Sequence, residues 1–186
     1  IKVAKDGYDI LDMCTGSGCI IISLAASGHT SENGAVAIDI SDDALKVADY
    51  NKKYNNADYI KLIKSDMFSS SECEQYKNED NRFDVIVSNP PYIPTKDIDE
   101  LSEEVRLHDP VLALDGDTDG LKFYKAITKQ SVNYLKENGY LCYEIGYNQA
   151  EDVRNIMEQC GYSGIKVIKD LAGLDRVVIG RLNNIN

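Results

Sequence analysis

Apolar positions along this chain follow two alternating rhythms. Seven short runs, "YDILDM" (8–13), "GAVAIDI" (34–40), "YIKLIKS" (59–65), "FDVIVS" (83–88), "GYLCYEIG" (139–146), "GIKVIKD" (164–170) and "RVVIGRL" (176–182), are nearly continuous in β-branched and other apolar residues and read as strands. Between them the period lengthens. "GCIIISLAAS" reads as a helix ended near Gly28, and "DDALKVADYNKKYN" as one capped by Ser41, with Asp42 and Asp43 at the positive end of its dipole. A helix is expected from about Leu121 to Lys136, with Gly139 just past its end, and another over "QAEDVRNIMEQCG", closed by Gly161.

Strands that are apolar throughout and separated by helices imply a parallel sheet covered on both faces. The last two runs have only "LAGLD" between them, too little for a crossover, so they are expected to pair antiparallel. The fold class is therefore α/β: a mostly parallel seven-stranded sheet with an antiparallel last strand and helices on both faces. Two segments fall outside the rhythm. "SSSECEQYKNEDN" reads as a solvated loop, and "IPTKDIDELSEEVRLHDPVLALDGDTDG" is too long for an ordinary connection and reads as a lid or binding segment. Within the latter, the acidic run 97–104 reads as a solvated face that could meet a basic partner.

The length, 186 residues with 43% hydrophobic content, suits one sizeable core. No run approaches a membrane span, and no signal-peptide pattern opens the chain. It starts without Met directly before a strand, as a trimmed piece of a longer protein would. Five cysteines, an odd number with no Cys-x-x-Cys pair, argue for a reduced, cytoplasmic protein without a disulfide framework. With two histidines, no metal site is expected. The formal charge of −11 disfavours a nucleic-acid partner.

Chemistry concentrates where strands end. "DMCTGSG" (12–18) follows the first strand and opens the first helix; Gly16 and Gly18 let backbone approach a ligand beside free helix N–H groups. A dinucleotide fingerprint would place a third glycine where Ile21 stands, which argues against NAD. Asp39 ends the second strand, where a carboxylate can accept both ribose hydroxyls of an adenosine. Asp66, in "KSDMF" after the third, can accept from an adenine amino group while Met67 or Phe68 covers the ring. Asp12, Asp39 and Asp66 thus lie at three successive strand ends, the edge where open α/β sheets bind ligands. An adenosine site without a diphosphate pattern suggests S-adenosylmethionine, and the arrangement resembles the seven-stranded class I methyltransferases. The candidate cofactor contacts are Asp12, Cys14, Thr15, Gly16, Gly18, Asp39, Ile40, Asp66, Met67 and Asn89.

The fourth strand stops in Asn89-Pro90-Pro91-Tyr92, which removes two backbone donors and fixes φ twice. In a methyl-transfer site this suits a planar nitrogen acceptor. The Asn89 side-chain oxygen and the Pro90 carbonyl can accept its two N–H groups, and Tyr92 can stack on the flat group, so that catalysis is mostly positioning. Asn89, Pro90 and Tyr92 are the candidate catalytic residues, and with Pro91 the substrate contacts. Adenine N6, guanine N2 and a carboxamide all fit this geometry.

Six stretches, "DMCTGSG", "AIDIS", "SDMF", "SNPPYIP", "VRLHDPVLALDGDTDGL" and "DLAGLDRVVIGR", are similar to the HemK/PrmC family, the protein-glutamine N5-methyltransferases of peptide-chain release factors. The resemblance implies an S-adenosylmethionine-dependent enzyme that methylates the glutamine of a Gly-Gly-Gln motif, releasing S-adenosylhomocysteine. It implies a release factor as protein partner, with no nucleic acid or membrane, and residues 1–186 as the catalytic domain of a cytoplasmic monomer. The family's N-terminal helical domain has no counterpart in these residues. Family glycines stand where this chain has Cys14 and Asp117, a leucine where it has Met13, and a glutamate where it has Asp109. Val105–Leu121 is the stretch that separates this family from DNA adenine methyltransferases. The other readings are a nucleic-acid amino methyltransferase using the same loop, which the acidity disfavours, and a domain that binds the cofactor without catalysis. His108 is expected to hydrogen-bond within the lid and Arg176 to pair with an acidic residue.

Overall fold

A computed structural model describes residues 3–183 of the chain. Seven strands form one sheet: β1 (Tyr8–Met13), β2 (Thr30–Asp39), β3 (Lys61–Lys64), β4 (Phe83–Ser88), β5 (Leu135–Glu144), β6 (Tyr162–Lys169) and β7 (Asp175–Leu182), in the order β3-β2-β1-β4-β5-β7-β6. The first five pair in parallel, and β7 runs antiparallel to both neighbours. The class I methyltransferase architecture expected from the sequence is thus the one observed. Six helices accompany the sheet: α1 (Cys19–Ala26), α2 (Asp42–Tyr54), α3 (Glu103–His108), α4 (Val111–Leu114), α5 (Lys122–Ser131) and α6 (Ala150–Gln159).

Alternation along the strands builds two cores. Ile10, Ala35, Ala37, Val85 and Val87 pack with Ile21, Ile22 and Leu24 of α1 on one face. Leu11, Met13, Val36, Ile38, Ile86 and Leu141 pack with Tyr124, Ile127, Val153 and Met157 of α5 and α6 on the other. The expected cap of α2 is present, Ser41 Oγ accepting from Ala44 N at 3.2 Å.

Four expectations need correction. The helix read over 121–136 ends at Ser131, because Tyr134 turns inward to stack on Phe68 at 4.1 Å and Leu135 already pairs with Phe83 of β4. Gly139, read as a helix stop, instead lies within β5 at an irregularity: the register jumps from Phe83–Leu135 to Val85–Tyr140. The polar stretch after β3 is not merely solvated; it winds into 3-10 turns over Ser71–Lys77 and Glu79–Asn81 that bury Cys73 completely. Phe68 is likewise buried under Tyr134, which leaves Met67 alone as an expected ring contact.

The strand order has a functional consequence. From β1 the chain winds outward to β2 and β3, then returns to β4 on the opposite side, so the loops after β1 and β4 diverge at the switch point of the sheet. The glycine loop and the Asn-Pro-Pro-Tyr loop therefore leave adjacent strands.

Candidate active site

The two loops are tied together at their roots. Ser88 Oγ donates to the Met13 carbonyl at 2.7 Å, fixing the end of β4 to the end of β1. Next comes Cys14 in a left-handed conformation (φ +60°), then Thr15, whose N–H donates to Ile38 O at 3.0 Å. Gly16 and Gly18 also adopt positive φ (56° and 79°), and Gly18 forms the start of α1. A Cβ at Gly18 would approach Ile22 Cδ1 at 3.0 Å and Ala48 Cβ at 3.3 Å, so this glycine lets α1 and α2 close on the loop. A Cβ at Gly16 would meet nothing within 4 Å, leaving open space above the turn.

Asp39 reaches into this loop from the end of β2. Its Oδ2 accepts from Gly16 N at 2.8 Å and its Oδ1 from Ser41 N at 2.9 Å. The sequence points to Asp39 as a ligand contact; in the fold its carboxylate joins the β1 and β2 loops. Asp12 is wholly buried. Its Oδ2 accepts from Thr15 Oγ1 at 2.7 Å and Ile21 N at 3.2 Å, while its Oδ1 has no partner. Burial, opposed by those two bonds and reinforced by Asp39, pushes its carboxyl up to about 7.

Asp66 is exposed just after β3, Met67 follows with φ +49°, and Ile40 is exposed after Asp39. All three acidic groups bear on the Cys14 thiol. Burial first and then Asp39 push it up to about 12, opposed by a hydrogen bond from Ser88, with lesser contributions from Asp12 and Asp66. Cys14 therefore stays a neutral thiol, unable to act as a nucleophile near neutral pH.

In the second loop Asn89 is exposed, Pro90 and Pro91 are buried, and Tyr92 is half-buried. Burial and the nearby Glu144 raise the Tyr92 phenol, with Arg176 opposing, so it remains a neutral flat surface. Behind the loop, the long segment folds back: Ile93 N donates to Leu114 O at 3.0 Å and Gly116 N to Ile93 O at 2.8 Å. Thr95 Oγ1 closes on Asp115 Oδ1 at 2.7 Å. Gly116 lies against the Tyr92 backbone so closely that a Cβ there would sit 2.9 Å from its Cα. The acidic stretch keeps Asp99, Glu100, Glu103 and Glu104 in solvent around a buried Ile98.

Arg176 pairs with an acid as expected: Nε and Nη2 donate to Asp170 Oδ2 at 3.3 and 3.2 Å, and Nη1 donates to Ile145 O at 3.2 Å. His108 is exposed and makes no side-chain hydrogen bond among the described residues, contrary to its expected role in the lid. Glu144, Tyr124 and Gln149, which also gather beside Tyr92, carried no signal in the sequence.

Two hollows of about 130 and 220 Å³ lie at the opposite, amino edge. They are lined by residues such as Asp9, Asp80 and Phe83, and Lys5, Glu137 and Arg181, respectively. The Lys136 ammonium braces that edge, bonded to Asp9 at 2.6 Å and Asp84 at 2.8 Å.

A sheet of this order, with a glycine loop after β1, a carboxylate after β2 and a stiff polar loop after β4, defines a class I methyltransferase. The family described as "Methyltransferase domain" matches residues 4–176, and the chain belongs to it. It is 39% identical over 173 residues to a release factor glutamine methyltransferase of Fusobacterium nucleatum, covering 93% of this chain and 47% of that protein. A second protein of that name, from Thermodesulfovibrio yellowstonii, is 39% identical over 95% of this chain and 60% of its own length. The chain thus spans about half to three-fifths of these curated relatives. Among solved structures, a methyltransferase from Pyrococcus furiosus superposes with a TM-score of 0.69 at 16% identity, covering 98% of this chain and 79% of the other.

Proposed function

We propose that residues 1–186 are a catalytic domain that transfers a methyl group from S-adenosylmethionine to the side-chain amide nitrogen of a glutamine, in the Gly-Gly-Gln motif of a peptide-chain release factor. One observation carries the reading: an Asn-Pro-Pro-Tyr loop, braced from behind by Asp115 and Gly116, leaves the sheet beside a glycine loop tied down by Asp39. The similarity to proteins named release factor glutamine methyltransferase supports the choice of acceptor.

The residues present suit the cofactor. Asp12 Oδ1 is a buried acceptor without a protein partner at the switch point of the sheet, and open space lies above Gly16. The Asp39 and Asp66 carboxylates lie close enough to act on the Cys14 thiol, a field that favours a cationic ligand. In this reading Gly16 and Gly18 leave room at the start of α1, Asp39 takes the ribose hydroxyls, and Asp66 with Met67 meets the adenine. Thr15 and Cys14 shape the turn, and Ile40 lies along the ribose side.

Bound in this site, S-adenosylmethionine would supply an electrophilic methyl group, its sulfur keeping the electron pair of the broken bond, and the surplus proton of the methylated nitrogen would leave to solvent. Asn89 Oδ1 and the Pro90 carbonyl accept the two amide hydrogens of the glutamine and orient its nitrogen lone pair. Pro91 keeps that pair of acceptors rigid. Tyr92 offers its neutral ring to the flat amide. Cys14, held as a thiol, does not compete for the methyl group.

Incubation with methyl-labelled S-adenosylmethionine, a purified release factor and duplex DNA tests this directly, with the label located by mass spectrometry. Label on the glutamine of Gly-Gly-Gln is expected. Label on DNA bases would overturn the assignment in favour of a nucleic-acid amino methyltransferase.

A further inference from the structure

Gln149 opens α6, 57 residues beyond Tyr92, and is only 6% exposed. Its side-chain amide uses both ends. Nε2 donates to the Tyr92 carbonyl at 2.9 Å and to the Gly120 carbonyl at 3.4 Å. Oε1 accepts from Gly146 N at 3.0 Å and from the Tyr124 hydroxyl at 3.4 Å. Two glycines make the space: a Cβ at Gly120 would stand 2.7 Å from Nε2, and one at Gly146 2.8 Å from Oε1. A primary amide alone supplies two donors on one side and an acceptor on the other in this volume.

We propose that Gln149 is the positioning residue of the Asn-Pro-Pro-Tyr loop, setting the Tyr92 carbonyl and through it Asn89; the proposal rests on the methyl-transfer reading above. The link is mechanical. Pro90 and Pro91 fix φ at the two residues between Asn89 and Tyr92, so a shift of the Tyr92 carbonyl passes along a stiff segment instead of being absorbed. The same carbonyl faces Gly120, whose loop carries Gly116 and Asp115 behind Ile93. Gln149 therefore holds three chain segments, residues 92, 120 and 146, in one arrangement. A displacement of about 1 Å at an acceptor that orients a reacting nitrogen is enough to lower turnover by roughly a hundredfold.

The chemistry of the contacts dictates the variants. Gln149→Glu keeps the acceptor for Gly146 and Tyr124 but turns a carboxylate oxygen toward two carbonyls. Gln149→Met fills the same volume without charge and removes all four bonds. Tyr124→Phe removes the hydroxyl that donates to the Glu144 carbonyl at 3.1 Å and lies 3.4 Å from Oε1, and it leaves the Nε2 bond to the Tyr92 carbonyl in place. For each we would measure S-adenosylmethionine affinity by calorimetry, and kcat and KM on a release factor. Hydrogen exchange at the Ile93, Thr95 and Gly116 amides, which bond across the folded-back segment, would be followed alongside.

Both Gln149 variants should lose roughly 30-fold or more in kcat with cofactor affinity within about threefold, and Tyr124→Phe should stay within about threefold of the parent. Exchange at those three amides should speed by roughly tenfold or more in the Gln149 variants while the middle of α6 stays protected. A kcat within about threefold of the parent in Gln149→Met overturns the proposal. So does a parallel loss of cofactor affinity, turnover and α6 protection, which is what a merely structural glutamine would give. If the parent protein does not methylate a release factor, the assigned function fails. The exchange comparison still decides the positioning role, since unchanged protection at Ile93, Thr95 and Gly116 refutes it.

Discussion

Replacing Asp39 by alanine tests how the glycine loop is held and what its holder does for the cofactor. The carboxylate accepts two backbone N–H groups, from Gly16 at 2.8 Å and Ser41 at 2.9 Å. Bonds to a charged acceptor contribute about 1.5–3 kcal/mol when well buried; Asp39 is half-buried, so about 1 kcal/mol each is the fairer figure. Alanine removes both, a loss of about 2 kcal/mol. For a chain of this size each kcal/mol moves the melting temperature by about 2–4 °C, so calorimetry without ligand should show a fall of about 4–8 °C. If Asp39 takes the ribose hydroxyls as proposed, cofactor binding loses that acceptor and the anchored turn together. Titration calorimetry with S-adenosylmethionine should therefore show affinity reduced by about 1–3 kcal/mol, roughly 5- to 150-fold. Asp39→Asn keeps one acceptor and should fall between. A melting temperature within about 1 °C of the parent would mean that the two bonds do not hold the loop. A lowered melting temperature with unchanged affinity would leave Asp39 a structural brace and remove it from the cofactor site.

Three further outcomes follow from the same geometry. Asp12, with its carboxyl pushed up to about 7 against 3.8 unfolded, binds its proton more tightly in the folded state. Its contribution is therefore full below about pH 4 and lost as pH rises to about 7, roughly 4 kcal/mol over that window. Urea unfolding at pH 5 and 8 should give a clearly flatter pH dependence for Asp12→Asn; an identical slope would show that this buried carboxyl is not titrating there. Gly120→Ala puts a Cβ 2.4 Å from Tyr92 O at a φ of +71°. It should lose about 3 kcal/mol or more of stability in chemical denaturation and most turnover, and a variant as stable and active as the parent would contradict the tight apposition of these loops. Asn89→Ala, at an exposed position, should melt within about 1 °C of the parent and bind cofactor within about threefold, yet lose roughly a hundredfold or more in kcat. Retained turnover would remove Asn89 from the chemistry.

What the sequence revealed depended on how local the cause was. β1 and β4 were legible to the residue because Ile10, Leu11 and Met13, and Phe83, Val85, Ile86 and Val87, bury apolar side chains on both faces of the sheet and the strand ends carry abrupt turn chemistry. Asp12 and Asp39 sit in the last residues of β1 and β2, and the Asn-Pro-Pro-Tyr loop follows β4, so all three could be placed from the strand ends. β2 was read four residues short at its start: "TSEN" has the composition of a turn, but it is an irregular stretch against β1, with Ser31 Oγ donating to Asp9 at 2.6 Å. The overlong helix failed for the opposite reason. Val132, Tyr134 and Leu135 continue an apolar pattern, and only the pairing of Leu135 with Phe83 and the stacking of Tyr134 on Phe68 divert the chain. Gln149 could not be found at all, because its partners come from residues 92, 120, 124 and 146 and its bonding exists only after folding.

Cys14 and Asp117, which the sequence resemblance reads as standing in place of glycines, both fall at positive φ, +60° and +71°. The chain accommodates them differently. Asp117 bonds its own surroundings: Oδ1 accepts from Thr118 N at 2.8 Å, Oδ2 pairs with Lys122 at 3.1 Å, and its N–H donates to Asp115 Oδ1 at 2.9 Å. Such local bonding is why aspartate tolerates the left-handed region. Cys14 has no comparable support for its own backbone; the turn is carried by its neighbours, through Ser88 on Met13 and Thr15 on Ile38. Left-handed backbone at a non-glycine residue costs about 1–2 kcal/mol, which a glycine would relieve. Glycine also loses about 0.5–1 kcal/mol through the greater freedom of its unfolded chain. It forfeits the packing of the thiol against the core as well. These terms oppose one another, so Cys14→Gly should stay within about 1 kcal/mol of the parent in urea unfolding. Cys14→Val has no such compensation: a β-branched side chain at this φ should lose about 2 kcal/mol or more. If the valine variant is as stable as the parent, the left-handed turn does not constrain this position. If the glycine variant is the one that collapses, packing of the thiol holds the cofactor loop, and the cysteine is a structural replacement for conformational freedom.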